Sequence, residues 1–312
     1  MTMRHFMRLA FTVLTVLAFS GCSLRTMALK TVANTLSESG STFSQDEDPE
    51  LVRAAVPFAL KTYESLLESL PKHKGLLLAT CSGFTQYSYA FIHTDADLIE
   101  SSDYETASQL KDRALKLYLR GKGYCIRVLE LDRPGIERKL QVDPPAALGW
   151  ATRKDVPLLY WTGASWGAAI SIGLDKPDLV ADVPAVKALM ERALALQEDY
   201  EKGAVHAVMI SLEALPEAMG GSKERARKHF ERAVELSGGQ DPGPYVTLAV
   251  SVSQPAQNRA EFVKLLEQAL AIDPNKNPSS RLATLIAQKR ARHLLSRLDE
   301  LFATDSSKEN LK

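Results

Sequence analysis

The clearest chemistry in this sequence is offered by a cysteine near the N-terminus. Cys22 follows an apolar run over residues 9–19 and the small residues Ser20-Gly21, and two arginines stand among the first eight residues. A charged start, an apolar centre and small residues before the cut are typical of a secretory signal peptide. With a cysteine directly after the cut, the pattern predicts a bacterial lipoprotein signal over residues 1–21 and acylation of the Cys22 thiol.

The length of the apolar run favours anchoring by acyl chains over a membrane helix. About 11 apolar residues are too few to span roughly 30 Å of hydrocarbon, whereas several acyl chains give stable attachment. Ser23 stands where an aspartate would favour the inner membrane, so the sequence favours the outer membrane, with the protein facing the periplasm. Residues 22–47, rich in Ser, Thr and acids, are expected to form a flexible tether with a short helix around Met27–Leu36.

Two short motifs resemble catalytic or phosphate-binding elements. Ser165 lies in Gly163-Ala164-Ser165-Trp166-Gly167, which matches the G-x-S-x-G spacing of a nucleophile elbow. That elbow needs a strand before it, whereas this segment lies in an apolar helical stretch, so a hydrolase is disfavoured. Gly121-Lys122-Gly123 lacks the glycine spacing and the following Ser or Thr of a phosphate loop and is interpreted as a helix interruption. The six histidines show no metal-ligand spacing, so neither a metal nor a cofactor is expected.

Aromatic residues form the candidate ligand or partner surface. They are Tyr87, Tyr89 and Phe91 in one predicted helix and Tyr160, Trp161 and Trp166 in another. Such residues could line an apolar ligand groove or a protein interface, but core packing is the favoured alternative. Tyr87 and Phe91 are four positions apart and share a helix face, whereas Tyr89 points elsewhere.

Cysteine usage and charge limit the remaining classes of function. Cys81 and Cys125 have apolar neighbours and form no C-x-x-C motif, which favours two buried thiols over a disulfide, although an oxidising periplasm permits pairing. Lys and Arg equal Asp and Glu in number, and removal of residues 1–21 takes away two arginines and no acids. Without a basic excess to neutralise phosphates, nucleic acid is not an expected partner.

The elements that position these residues are predicted to be helices throughout. Asp48-Pro49-Glu50 combines an N-cap, a proline at the first helical position and an acid in the first turn, so the folded region should start there. Pro57 should kink or split this first helix. Further helices are predicted over 74–93, 104–130, 145–153, 155–173, 182–196, 200–213, 222–237, 243–253, 258–272 and 278–303. The chain is therefore expected to be all-α over 48–303, with a disordered tail over 304–312.

A repeating pattern appears in the C-terminal half. Its members are Ala226, Phe230 and Ala233, then Tyr245, Leu248 and Ala249, then Leu266, Ala269 and Pro274, with a weaker match at Met190 and Ala193. Small residues at such positions let paired helices approach closely, and the aromatic ring fills the gap between pairs. The pattern predicts a helical-hairpin array of degenerate tetratricopeptide-like repeats.

Several segments together resemble a known family. They are Asp48–Arg53, Pro57–Lys61, Gly83–Phe91, Trp166–Ile170, Gly220-Gly221, Gln288–Ala291 and Leu294-Leu295. Across nearly the whole folded region, the chain resembles the TatT component of tripartite ATP-independent periplasmic (TRAP) transporters. The resemblance implies a lipoprotein with tetratricopeptide-like helix pairs, a TRAP solute-binding protein as partner, a homotrimer and an apolar ligand path. It supplies no catalytic residues.

The combined expectation is a periplasm-facing lipoprotein scaffold rather than an enzyme. It would dock the solute-binding protein and bind or pass an apolar or organic-acid ligand. The alternative is a general scaffold for envelope assembly complexes, since helical repeats present extended surfaces to many partners.

Overall fold

The fold is entirely helical in the part of the chain that the structure describes. This computed structural model describes residues 26–38 and 41–302, and no strand occurs among them. The expected all-α class is confirmed. Within these ranges no helix combines the length and the apolar character needed to cross a membrane. The predicted signal peptide, Cys22 and the tail over 304–312 lie outside the described residues.

The N-terminal segment, expected to be a flexible tether with a short helix around Met27–Leu36, contains a helix that packs on the domain. Helix α1 covers residues 26–38, and its Ala33 is fully buried. The Tyr63 hydroxyl donates to the carbonyl oxygen of Leu36 at 3.1 Å, and His73 Nε2 lies 2.9 Å from Asn34 Oδ1. The buried Ala33 side chain and these two polar contacts hold α1 on the domain. A short helix, α2, follows over Ser41–Ser44.

Helix α3 begins where the capping residues predict. It covers Pro49–Ser69, and the Asp48 side chain accepts from the backbone N–H groups of Glu50 and Leu51. The helix continues through Pro57 as one element, so the split expected there does not occur.

The next helices pack together around α6 (Tyr104–Asp132). They are α4 (Lys74–Tyr87), a π-helical turn (Ser88–His93), α5 (Thr94–Ile99) and α6 itself. Helix α6 is continuous, so the helix interruption expected at Gly121-Lys122-Gly123 is wrong. A Cβ added to Gly121 would lie 3.0 Å from Thr85 Oγ1 and 3.1 Å from the carbonyl oxygen of Cys81. Gly121 therefore lets α4 approach α6 closely.

A disulfide joins α4 to α6 at this contact. Cys81 and Cys125 are bonded, with their Cα atoms 5.5 Å apart. The interpretation as two free buried thiols is therefore wrong, although both residues are fully buried as that interpretation required. Apolar neighbours indicate burial, but they do not show whether two cysteines face each other across a helix contact.

The remaining helices follow the predicted order in most places. They are α7 (Ile136–Val142), α8 (Pro144–Ala147), α9 (Val156–Ile172), α10 (Pro177–Val180), α11 (Val183–Leu196), α12 (Ala204–Glu213), α13 (Lys223–Leu236), α14 (Gly243–Leu248), α15 (Arg259–Leu270), α16 (Arg281–Ser296) and α17 (Leu298–Leu301). The helix predicted over 145–153 is wrong, because only α8 and a 3₁₀ turn at Arg153–Asp155 reach into that range. The sequence did not predict α7 or α10.

Successive long helices pack on one another, and α16 packs back against helices from the N-terminal part of the domain. α4 lies on α6, α6 on α9 and α9 on α11, and the sequence of neighbours continues through α12, α13, α14 and α15 to α16. α16 also contacts α2, α3 and α5. The small residues of the repeat pattern are buried, and Phe230 packs edge-on against Tyr245 at 5.3 Å between ring centroids.

Candidate functional site

The motif around Ser165 has the geometry of a helix interior. Ser165 is fully buried within α9, and its hydroxyl donates to the carbonyl oxygen of Thr162 at 3.0 Å. Gly163 lies against the neighbouring helix, since a Cβ there would be 2.6 Å from Met190 Cε. No strand precedes this segment, so the requirement of a nucleophile elbow is not met. In the described ranges, no three His, Cys, Asp or Glu side chains are placed to hold a metal ion.

Three of the six candidate aromatic residues lie in the core. Tyr87 and Phe91 are buried and pack at 5.6 Å between ring centroids. Trp166 is fully buried, its indole N–H donates to Asp182 at 3.1 Å, and the Lys122 ammonium lies 3.7 Å from its ring centroid. These contacts account for the three rings as packing elements.

The other three aromatic residues reach solvent. Tyr89 is 42% exposed and lies on the π-helical turn, while Tyr160 and Trp161 at the start of α9 are partly exposed. Single π-helical turns occur frequently at functional sites. We therefore treat the surroundings of Tyr89 and of Tyr160 as two separate candidate sites.

Around Tyr89, ion pairs join both α3 and α16 to α5. We call Arg53, Tyr89, Asp95, Asp97 and Arg290 the closure cluster. Arg53 donates to Asp95 at 3.1 Å, and Arg290 pairs with Asp97 at 2.8 Å and donates to the Tyr89 hydroxyl at 3.4 Å. α3, the π-helical turn, α5 and α16 each contribute to this cluster, which therefore closes the helical array.

His93 lies beside the closure cluster and stays neutral. Its Nδ1 is 3.1 Å from the Tyr118 hydroxyl, and its Nε2 is 3.7 Å from Asp97. Burial lowers the pKa of His93 from 6.5 to about 4, although Asp97 acts in the opposite direction. A histidine that is neutral above this pH contributes hydrogen bonding rather than charge.

The closure cluster contains hydrogen-bond donors and acceptors but no group suited to bond making. Cations and carboxylates balance in number, and no nucleophile lies among the five residues. Arg290 Nε has no hydrogen-bond partner within the described chain, and exposed Tyr89 lies beside it. A carboxylate entering at Tyr89 would find a guanidinium donor there.

Around Tyr160, aromatic rings from two elements pack together, and the Asp241 carboxylate acts on the Tyr160 hydroxyl. We call Tyr160, Trp161, Tyr200 and Asp241 the aromatic cluster. The Tyr160 centroid lies 5.0 Å from that of Trp161 and 5.2 Å from that of Tyr200. Tyr200 comes from the turn before α12, and Asp241 from the loop before α14.

Burial and nearby carboxylates raise the pKa values of the ionisable groups in the aromatic cluster. Burial, Tyr200, Asp241 and Glu201 all raise the pKa of the Tyr160 hydroxyl. Burial and Glu201 raise the pKa of Tyr200 to about 12. Burial also raises the pKa of Asp241, whose Oδ1 accepts from the backbone N–H of Gly243 at 2.8 Å.

Sequence reasoning missed Arg290, Tyr200 and Asp241 as site residues. Arg290 lies 201 positions from the Tyr89 that it contacts, and Tyr200 is 40 positions from Tyr160. No local pattern links such distant positions. The one available signal was in the resemblance, because Asp48–Arg53, Gly83–Phe91 and Gln288–Ala291 all contribute to the closure cluster or its immediate contacts.

Comparison with known proteins identifies the family of this chain. The family model described as the TRAP transporter T-component matches residues 45–302. A protein from Treponema pallidum (strain Nichols), named only as an uncharacterized protein, is 34% identical over 302 residues, which is 91% of this chain and 94% of the relative. The family match covers both candidate sites and all helices from α3 onward, and the chain belongs to the TRAP transporter T-component family.

Proposed function

We propose that this protein is an envelope lipoprotein that docks the solute-binding protein of a TRAP transporter. The observation that carries the proposal is the family match, because it extends over almost the whole described domain. Membership gives association with a TRAP transporter, as an accessory transport component. Docking of the solute-binding protein is the role that we assign within that association.

Anchoring through acylated Cys22 in the outer membrane, facing the periplasm, is part of the proposal. The disulfide between Cys81 and Cys125 supports it, because structural disulfides persist in oxidising compartments such as the periplasm. The lipoprotein signal pattern and Ser23 give the membrane assignment. Replacement of Cys22 by Ser should release a folded protein from membranes, and membrane retention of that variant would contradict the anchor.

The surface that we assign to docking is a groove in the C-terminal half, where we propose degenerate tetratricopeptide-like repeats. Its volume is about 310 Å³, and it lies between α13, α14 and α15. Phe230, Val234 and Tyr245 give it an apolar floor, while Glu231 and Lys264 stand exposed on its rim. An apolar centre with a charged rim is the usual anatomy of a protein interface.

Co-purification with the solute-binding protein tests this docking. The full chain and the solute-binding protein encoded with the same transporter should elute together on size exclusion at micromolar concentration. Lys264→Glu should weaken the complex, because it reverses a rim charge. Lys116→Glu, on the exposed face of α6, is the matched control and should leave it unchanged. Clean separation of the wild-type proteins would contradict docking, and proximity labelling that returned envelope assembly factors would favour the general scaffold instead.

Ligand binding and trimer formation complete the proposal. An apolar ligand or an organic acid would be received at the exposed aromatic residues, with its carboxylate at Arg290 beside Tyr89. Isothermal titration with a short-chain carboxylate, compared between wild type and Tyr89→Phe, checks this assignment. A homotrimer should appear in light scattering, and a monomer at all concentrations would contradict it.

A further inference from the structure

We propose that a histidine pair between α12 and α13 makes docking at the groove sensitive to acid, because the contact opens when both imidazoles carry a second proton. The pair is His206 on α12 and His229 on α13, whose Nδ1 atoms lie 2.8 Å apart. The proposal deepens the docking part of the proposed function and rests on it. It names a regulator, the pH of the surroundings, for the surface assigned there.

The pair lies within a closely packed helix contact. His229 shares one face of α13 with Ala226 and Ala233, and both alanines are buried. His206 is buried on α12, and the two ring centroids are 5.0 Å apart. A Cβ added to Gly203, just before α12, would lie 3.3 Å from the Cα of Ala233. Repulsion between the rings would therefore act directly on the packing of the two helices.

Hydrogen bonding limits the number of protons that the closed pair can hold. A bond between two Nδ1 atoms needs a proton on one nitrogen and a lone pair on the other. His206 Nε2 lies 3.3 Å from Glu198 Oε1, which suits an Nε2–H donor and leaves His206 Nδ1 to accept from His229. One further proton can be added at the outer nitrogen of His229 with this bond intact. The next must enter the shared contact, where two N–H groups would then oppose each other.

The carboxylates beside the pair are already neutralised by cations. The charged groups that act on the two rings are Glu198, Glu213, Lys187, Arg225 and Arg232, and Arg232 in turn pairs with Glu235. Glu198 pairs with Arg232 at 2.8 Å, and Glu213 pairs with Lys187 at 2.8 Å and with Arg225 at 2.6 Å. α9 and α14, which also pack on α12, contain no acidic or basic residue. In the Tyr200–Lys202 turn before α12, the two charged side chains act on other groups.

Burial lowers the pKa of both histidines. For His206, burial outweighs the opposing effect of Glu198, and for His229, burial and the neighbouring His206 act in the same direction. An open pair would bind protons with the ordinary histidine pKa of about 6.5, so the open state takes up more protons in acid than the closed state. The contact is therefore most stable above that pH and weakens as the pH falls below it.

α13 connects the pair to the groove. Phe230 directly follows His229, and Phe230 and Val234 form part of the groove floor. The Phe230 ring packs edge-on against Tyr245 of α14 at 5.3 Å between centroids. A shift of α13 away from α12 would displace these side chains relative to α14 and so change the docking surface.

Hydrogen exchange over α13 tests the opening without any partner, on the full chain purified in detergent. After correction for intrinsic exchange rates, opening that admits one extra proton should become about thirtyfold more frequent between about pH 7.5 and about pH 5.0. His229→Gln removes the second imidazole, so the increase should shrink to a few-fold. If this variant does not fold by circular dichroism, His206→Gln replaces it. Less than a threefold increase in wild type, or an equal increase in the folded variant, would overturn the proposal.

His73→Asn is the matched control. It removes a titratable histidine far from the pair and keeps an acceptor at the N-cap of α4. Its exchange over α13 should follow wild type at both pH values. Loss of the acid response in this variant would contradict the assignment to His206 and His229.

Co-elution with the solute-binding protein at the same two pH values tests the link to docking. Wild type should bind about tenfold more weakly at the lower pH, whereas His229→Gln should retain most of its affinity. Equal loss in both proteins, or no loss in wild type, would overturn the link. Wild type that does not co-elute even at the higher pH refutes docking itself and leaves the opening seen by hydrogen exchange intact.

Discussion

Removal of the disulfide between α4 and α6 should cost a large part of the stability of this protein. The cysteines are 44 positions apart, so the covalent bond closes a long loop in the unfolded chain. Loop-closure entropy for such a length corresponds to about 4 kcal/mol near room temperature. Cys81→Ala with Cys125→Ala should therefore lower the free energy of unfolding by about 4 kcal/mol and the Tm by about 10 °C.

Single substitutions distinguish a disulfide from two buried thiols. If the cysteines are bonded, Cys81→Ala alone removes the whole cross-link, so each single variant should be as unstable as the double variant. If they are free thiols, each change should cost about 1 kcal/mol, and the double variant should be less stable than either single variant. Non-additivity is expected here because both side chains are fully buried and bonded to each other.

Urea unfolding followed by circular dichroism measures these differences. Cys22→Ser is the matched control, since it removes a cysteine but keeps the cross-link, and it should unfold like wild type. Reductant added together with urea should bring wild type to the stability of the double variant. A double variant within about 1 kcal/mol of wild type would refute the reasoning.

Three further predictions concern pH, charge and packing. Because burial lowers the pKa of His93 from 6.5 to about 4, the stability that it confers is complete above pH 6.5 and is lost as the pH falls towards 4. Wild type should lose about 3 kcal/mol across that range relative to His93→Asn in urea titrations, and equal slopes would contradict this. Asp97→Asn should cost about 2 kcal/mol, because it leaves the mostly buried Arg290 without its ion pair; a thermal scan checks this. Gly121→Ala should cost about 1 kcal/mol, since its Cβ would lie 3.1 Å from the backbone carbonyl oxygen of Cys81, and unchanged urea unfolding would contradict that.

Local signals in the sequence predicted most of the helices, because helix formation depends on nearby residues. The capping side chain of Asp48 marked the start of α3, a continuous apolar stretch marked α9, and apolar periodicity marked α11 and α13. The errors arose where tertiary packing decides. Gly121 suggested an interruption because glycine disfavours helix, but the close approach of α4 requires a residue without a Cβ at this position.

The candidate sites were predictable only in part. Tyr89, Tyr160 and Trp161 were identified from residue type, and the structure places them at accessible positions. Their partners come from helices that are distant along the chain, as with Arg290. Arg290 pairs with Asp97 because α16 packs against α5. The residue pattern within a single helix cannot indicate a contact of this kind.

The packing of α1 changes what an anchor at Cys22 would do. The described part of α1 begins four positions after Cys22, and four residues span at most about 14 Å. With Cys22 acylated, as we propose, the domain would lie close to the membrane surface rather than at the end of a long flexible tether. Tyr63 and His73 contact α1 and so would fix which face of the domain points towards the bilayer. The groove between α13 and α15 would then be held near the membrane in a restricted orientation, and confinement of this kind raises the effective concentration of a docking surface for partners that work there.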